Sequence, residues 1–267
     1  MRIIVCAKQV PDTNEIKINP ETGTLMRDGV PSILNPDDAN ALEMALEIKD
    51  KNPENVEVII ISMGPPQAKE MLEECIAMGA DEGILISDRA VGGSDTWATS
   101  NAIAAAVRKL GGCDLMIAGR QAIDGDTAQV GPQTAEKMGL PQITYVKEYK
   151  FSDDMKKVEV KRALEDGYQI IEADLPCMLT AIKELNEPRY MTVGGILRAC
   201  DPEVKISVWG AADIGVDLNT VGLKASPTNV FRSFTPKPKG KGVFIDGDTP
   251  KEKSQNLAQS LKAKHII

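Results

Sequence analysis

Asp114-Leu115-Met116-Ile117-Ala118 runs without a break into Gly119-Arg120-Gln121-Ala122-Ile123-Asp124-Gly125-Asp126-Thr127-Ala128-Gln129-Val130-Gly131, and helical spacing then continues to Met138. A short apolar strand, a glycine- and aspartate-rich loop and a helix in that order predict one strand–loop–helix unit of a parallel α/β sheet. In such sheets ligands bind at the carboxyl ends of the strands, where helix N-termini present free backbone N–H groups. The glycines are expected to permit positive φ and close backbone approach. Asp126 or Thr127 is expected to cap a helix over Ala128–Met138, whose dipole suits a phosphate. A long capped turn with no ligand explains the same residues, and the composition of the loop leaves both readings open.

The alternation recurs upstream. Arg2–Ala7, Val56–Ile61 and Gly83–Ile86 read as strands, and Asp37–Lys49, Gln67–Met78 and Asp95–Leu110 read as helices. Continuous apolar strands between amphipathic helices predict a doubly wound, mostly parallel, Rossmann-like α/β sheet, with every strand-to-helix loop on one edge. Downstream, Ile143–Phe151, Val158–Leu164, Tyr168–Ala173 and Cys177–Ile182 predict a smaller β-rich addition to that sheet. After Phe231 the composition shifts to the proline-, glycine- and lysine-rich stretch Thr235–Gly242, an extended arm, followed by a terminal helix over Glu252–Lys264 with Leu257 and Leu261 on one face. The expected division is a nucleotide-binding domain over residues 1–230 and a C-terminal arm over residues 231–267.

Three further loops carry usable chemistry. Asn35-Pro36-Asp37-Asp38 pairs an N-cap asparagine with proline at the first helical position. Ser62-Met63-Gly64-Pro65-Pro66 ends a strand and starts a helix. Gly92-Gly93-Ser94-Asp95-Thr96 is a flexible loop with an N-cap. Each can touch a ligand or merely turn the chain. Neither a GxGxxG fingerprint nor a GxxxxGK[ST] loop occurs, which disfavours a dinucleotide dehydrogenase and a P-loop ATPase. Asp124 and Asp126 could hold Mg²⁺, but capping and polar contacts are the ordinary use of such a pair, and no metal is expected.

Bulk properties remove other classes. With 31 Lys and Arg against 39 Asp and Glu the net charge is −8, the wrong sign for nucleic-acid binding. Cys6, Cys75, Cys113, Cys177 and Cys200 are scattered with no CxxC pair, which argues against a disulfide framework or zinc site. The one histidine, His265, leaves no basis for histidine acid–base chemistry in the body of the chain. The run Met1–Cys6 is too short for a signal peptide, and no stretch approaches the ~20 apolar residues that span a bilayer. The chain reads as cytoplasmic, without membrane insertion.

Val5-Cys6-Ala7-Lys8-Gln9-Val10-Pro11-Asp12, Asn35-Pro36, Ala77-Met78-Gly79-Ala80-Asp81 and Gln121-Ala122-Ile123-Asp124-Gly125-Asp126 occur in this order, followed by the stretch from Leu175-Pro176 to Leu185-Asn186-Glu187-Pro188-Arg189-Tyr190. Together they resemble the beta subunit of an electron transfer flavoprotein over essentially the whole chain. The last stretch is the most specific, because no general folding rule demands it. The resemblance implies a heterodimer with a larger, flavin-carrying alpha subunit, wrapped by the arm from Phe231 onward. It implies an adenine nucleotide held by Cys6, Asn35, Pro36, Asp37, Asp38 and Met63 and by the run Ala122, Ile123, Asp124, Gly125, Asp126, Thr127, Ala128, Gln129, Val130, Gly131, Pro132 and Gln133. It also implies a docking segment, Tyr190-Met191-Thr192-Val193-Gly194-Gly195-Ile196, for a redox partner of the acyl-CoA dehydrogenase type.

Members of this family that bind AMP commonly carry asparagine and threonine where Ala128 and Val130 stand, and many carry leucine where Val193 stands. The departures resemble the flavin-bifurcating subgroup, which implies FAD in place of AMP and NADH as an electron donor. Ser94, Asp95, Thr96 and Thr99 would then face the flavin ring. Asp124 and Asp126 become polar anchors, and no side chain is expected to be catalytic. The alternatives are an AMP-binding structural beta subunit and a stand-alone nucleotide-binding regulatory protein. The second needs neither Val158–Tyr190 nor the arm.

Overall fold

Apolar residues alternate between two faces along each central strand, and that alternation produces a sheet covered on both sides. The computed structural model describes residues 1–12, 31–201, 203–204, 206–230 and 240–267. The chain runs through β1 (Arg2–Cys6), β2 (Gln9–Pro11), β3 (Ser32–Leu34), α1 (Pro36–Lys51), β4 (Glu57–Met63), α2 (Ala68–Met78), β5 (Glu82–Ile86), α3 (Thr96–Lys109) and β6 (Leu115–Gly119). It continues through α4 (Val130–Met138), β7 (Gln142–Phe151), β8 (Lys157–Leu164), β9 (Gly167–Asp174), β10 (Cys177–Ala181), α5 (Val193–Ala199), β11 (Ile206–Trp209), α6 (Gly222–Ala225) and α7 (Pro250–Ala263).

Nine strands form one sheet in the order β11-β5-β4-β1-β6-β10-β7-β8-β9. All pairs from β11 to β7 are parallel, and β8 and β9 extend the sheet by antiparallel pairing. Ile3, Val5, Val58, Ile60, Leu115 and Ile117 pack on one face with Leu42 and Leu46 of α1 and Leu72 and Ile76 of α2. Ile4, Ile59, Ile61 and Met116 pack on the other with Ala102, Ile103 and Val107 of α3 and Ala135 of α4. Each fully buried isoleucine or leucine contributes about 1.5–3 kcal/mol. The sheet is doubly wound and mostly parallel, as the alternation predicts.

After β1 the chain builds outward through β4 and β5, then returns to place β6 on the other side of β1. Strand order therefore reverses between β1 and β6, and their carboxyl ends border the crevice where open α/β sheets bind ligands.

Several features differ from the sequence reading. The antiparallel pair β2–β3, the edge strand β11 and α5 were not anticipated. Helix α5 opens with Val193-Gly194-Gly195, and glycine is a poor helix former. The Thr192 hydroxyl rescues it by accepting from Gly195 N–H at 2.9 Å. Helix α4 begins at Val130, two residues later than predicted.

The described residues up to 230 belong to one compact unit and residues 240–267 to another. In the second, α7 is capped by Thr249 with Pro250 in its first turn, and none of its residues is buried. It begins two residues before the predicted terminal helix. Residues 231–239, where the predicted arm begins, lie outside the described residues; residues 240–242 have no regular structure. No helix among the described residues is long and apolar enough to cross a membrane.

Candidate functional site

Helix α1 starts directly above the crevice, and its first turn ties the two strand ends together. Asp38, 7% exposed, accepts from Lys8 N–H after β1 at 2.9 Å and from Gly119 N–H at the end of β6 at 2.9 Å. Burial pushes the Asp38 carboxyl up to about 7, against the bonds from Lys8, Gly119 and Asn35. Gly119 is required sterically: a Cβ there would lie 2.4 Å from Asp38 Oδ1 and 2.7 Å from the Asp38 backbone nitrogen. Beside it, Asp37 and Arg120 form an ion pair at 3.3 Å, without hydrogen-bond geometry between Asp37 Oδ2 and Arg120 Nε. Burial raises the Asp37 carboxyl while Arg120 lowers it, and burial prevails.

The loop from Arg120 to Gln129 is held from outside itself. Asn35 is fully buried at the N-cap position of α1, as predicted, but its side chain makes no capping bond. Its amide donates to the Gln121 carbonyl at 2.9 Å and its oxygen accepts from Ile123 N–H at 3.0 Å, so it pairs with the loop as a strand would. Lys8 Nζ meets the buried Asp124 carboxylate at 2.6 Å. Within the loop, Gly125 and Asp126 N–H donate to the Ala122 carbonyl, and the Gln121 amide donates to Asp126 Oδ1 at 2.8 Å.

Two local expectations are corrected here. Neither Asp126 nor Thr127 caps α4. Asp126 turns back to Gln121, and the residue before the helix, Gln129, makes no side-chain cap. The positive φ values fall on Asp126 (51°) and Ala128 (52°), and not on Gly119, Gly125 or Gly131. A left-handed alanine costs on the order of 1 kcal/mol and persists where its surroundings impose it. Close approach, the other role expected of the glycines, is met at Gly119 and Gly131. A Cβ on Gly131 would lie 2.5 Å from the Met178 methyl, so α4 packs hard onto β10.

The remaining candidates line the same edge in different ways. Cys6 and Met63 end β1 and β4, and both pack into the core on the α3 and α4 side. Burial pushes the Cys6 thiol far up, which makes it a poor nucleophile. Val130 likewise packs against that core. Pro132 and Gln133 lie in the first turn of α4, and Gln133 Oε1 accepts from the Ser100 hydroxyl at 3.5 Å. Asp95 caps α3 by accepting from Ala98 N–H at 3.0 Å, and Ser94 bonds to Val91 and Gly222. The Thr96 hydroxyl donates to Gln129 Oε1 at 3.0 Å, joining the loop after β5 to the loop after β6. Thr99 follows in the same helix.

Composition-based reading missed Lys8 and Arg120, because their acidic partners are distant in sequence. A cleft of about 510 Å³ opens at the opposite edge, lined by Met1, Arg2, Asn55 and Gly111 to Asp114. Arg2 there is already bonded to Glu57 and Leu110, and none of the candidate residues reaches it.

The stretch from Asn186 to Ile196 also acquires a physical account. Asn186 and Asn40 exchange hydrogen bonds, and Arg189 grips Glu43 at 2.8 Å and Asp50 at 2.8 Å. Tyr190 then stands 93% exposed and Val193 77% exposed. Helix α5 is pressed so closely on α2 that a Cβ on Gly195 would strike the Ala77 carbonyl, and Arg198 donates to the carbonyls of Ile76 and Ala80.

Residues 22–209 match the electron transfer flavoprotein domain family. The chain is 61% identical over 267 residues, the whole of both chains, to the caffeyl-CoA reductase-Etf complex subunit CarD of Acetobacterium woodii. It is 55% identical, again over the whole of both chains, to the electron transfer flavoprotein subunit beta of Clostridium acetobutylicum. It is 51% identical over 273 aligned positions, covering both chains fully, to the acryloyl-CoA reductase electron transfer subunit gamma of Anaerotignum propionicum.

Proposed function

The chain belongs to the electron transfer flavoprotein family as a beta subunit, and from that premise we propose that the crevice between β1 and β6 holds the adenosine pyrophosphate of FAD. The chain would then act as the second flavin-holding half of a heterodimer with an alpha subunit, and residues 231–267 serve as the arm that packs on it. The observation that carries this reading is the start of α4. Its first turn has no side-chain cap, it opens at the crevice, and left-handed Asp126 and Ala128 bend the loop leading into it. Alternating backbone conformations of this kind gather N–H groups into an anion-binding concavity, and the helix dipole adds to it. Lys8 and Arg120 sit at the same loop, each paired with a carboxylate, Asp124 and Asp37, from which an incoming phosphate could draw it.

FAD, when bound, supplies the electron storage and transfer that the side chains of this chain do not. The chain's own residues bind and orient. Asn35 and the Lys8–Asp124 pair fix the loop from Gln121 to Asp124. The uncapped turn of α4 receives phosphate, and Ser94 to Thr99 border the neighbouring edge. FAD is favoured over AMP by the small apolar Ala128 and Val130, which suit a ligand that continues past the adenosine phosphate. NADH is the proposed donor. Relatives named for caffeyl-CoA and acryloyl-CoA reductases support an acyl-CoA dehydrogenase-type partner, docked on exposed Tyr190, Val193 and their neighbours.

The absorbance of the purified heterodimer tests the proposal. Two flavins per heterodimer, bleached by NADH, are expected. One flavin with extractable AMP would overturn the FAD assignment.

A further inference from the structure

The segment 217–230 is the last part of the α/β unit before the C-terminal residues, and hydrogen bonds fasten it to the loop after β5. Ser94 Oγ accepts from Gly222 N–H at 2.8 Å and donates to the Val91 carbonyl at 2.7 Å. Asp95 N–H donates to the Ser226 hydroxyl at 2.9 Å, which donates onward to the Gly222 carbonyl at 2.9 Å. The Asn101 amide donates to the Thr220 carbonyl at 2.8 Å. The fit is close: Gly222 has φ +77°, and a Cβ there would lie 2.3 Å from the Ala90 carbonyl oxygen.

The Asp95 carboxylate is shared between two tasks. Oδ1 accepts from Ala98 N–H at 3.0 Å and caps α3. Oδ2 accepts from both Thr228 N–H at 3.0 Å and the Thr228 hydroxyl at 2.7 Å. Burial raises this carboxyl, but the bonds from Ala98 and Thr228 outweigh it and hold the group below the usual range. The next residue, Thr96, donates to Gln129 Oε1 at 3.0 Å, and Gln129 is the last residue of the loop after β6. A continuous line of polar contacts therefore runs from Thr228 through Asp95 and the first turn of α3 to Gln129.

We infer that Asp95 is a positioning residue that couples the root of the C-terminal arm to the seating of the loop after β6. The arm root holds Asp95, Asp95 fixes the first turn of α3, and Thr96 passes that position to Gln129. The inference rests on the reading that this loop receives an adenine nucleotide. Such coupling is reciprocal: a nucleotide at the loop steadies the arm root as much as an engaged arm steadies the loop.

Thr228→Val removes the hydroxyl bond to Asp95 and keeps the backbone bond, while Thr228→Ser restores the hydroxyl. In the nucleotide-stripped heterodimer, Thr228→Val raises amide hydrogen exchange in residues 122–129 as well as in 222–228. It also lowers the affinity for added FAD and added AMP about fivefold, a fraction of what one hydrogen bond to a charged group contributes, since the contact acts through the loop. Thr228→Ser returns both readouts to the wild-type level. Ser226→Ala, which removes the acceptor of Asp95 N–H, produces the same two-segment response and serves where Thr228→Val fails to assemble. The inference is overturned if exchange rises at 222–228 while exchange at 122–129 and both affinities stay within about twofold of wild type. If the wild-type heterodimer binds neither FAD nor AMP, the nucleotide reading fails, and the exchange response at 122–129 alone decides the coupling.

Discussion

The loop after β5 and the loop after β6 meet at the Thr96–Gln129 bond and hold their helices by opposite means. The first carries its own cap: Asp95 accepts from Ala98 N–H three residues on. The second makes no side-chain cap, and its loop is held by Asn35 and Lys8 from the far side of the crevice. The Asp95 cap satisfies one N–H of the first turn of α3, whereas no side chain does so for α4. A helix whose loop is fixed from elsewhere keeps its N–H groups available. The difference separates a helix start that carries its own cap from one that leaves its first turn uncapped, although both loops are rich in glycine and aspartate.

The largest expected effect comes from breaking the externally held side at its foundation. Gly119→Ala forces a Cβ against the backbone of α1, which cannot give way without leaving the crevice. A loss of about 3 kcal/mol is expected, read as a lower urea midpoint at unchanged slope. An unchanged midpoint would mean that α1 does not bear on β6. Asn35→Ala comes next, at about 2 kcal/mol, because it orphans the Gln121 carbonyl and Ile123 N–H together. Its hydrogen-exchange signature should appear in residues 121–126 and spare the start of α1, which the side chain does not cap. Exchange confined to α1 would erase the contrast between the two loops.

Asp95→Ala removes the cap of α3 together with both bonds from Thr228 and is expected to cost about 1.5 kcal/mol, somewhat more than an N-cap alone. Fraying should start in the first turn of α3, and a silent α3 would show that its cap is dispensable. The smallest effect has the opposite sign. Ala128→Gly relieves a left-handed alanine and should stabilise the nucleotide-free protein by about 0.5 kcal/mol. The same variant should weaken FAD and AMP binding, because a looser loop holds its N–H groups less well. Tighter binding would refute the role given to the Ala128 conformation.

This contrast also marks what was legible in sequence. Asp95 sits next to the helix it caps, so Ser94-Asp95-Thr96 announced it. Strand alternation announced the doubly wound sheet for the same reason, since Ile3 and Ile4 face opposite cores within one short run. Asn35 also announced a helix start, and α1 does begin there. Its bonds to a loop 88 residues away were invisible, because no local pattern encodes a partner at that distance. Arg189 is similar: its grip on Glu43 spans 146 residues. The helix start assigned to Ala128 failed because Asp126 found a nearer donor in Gln121 and left the capping position to Gln129. The four-residue strand β11 went unread, since so short a run carries little periodic signal.

Helix α5 is fastened through Gly195 and Arg198, which act on backbone carbonyls of α2 and of Ala80 just past its end. Val193 and Leu197 point outward and contribute nothing to that attachment that a different side chain would spoil. Mounting and surface are therefore separable. Substitutions at the exposed positions Val193 and Leu197 can change the character of this surface while the mounting of α5 and the sheet remain as they are.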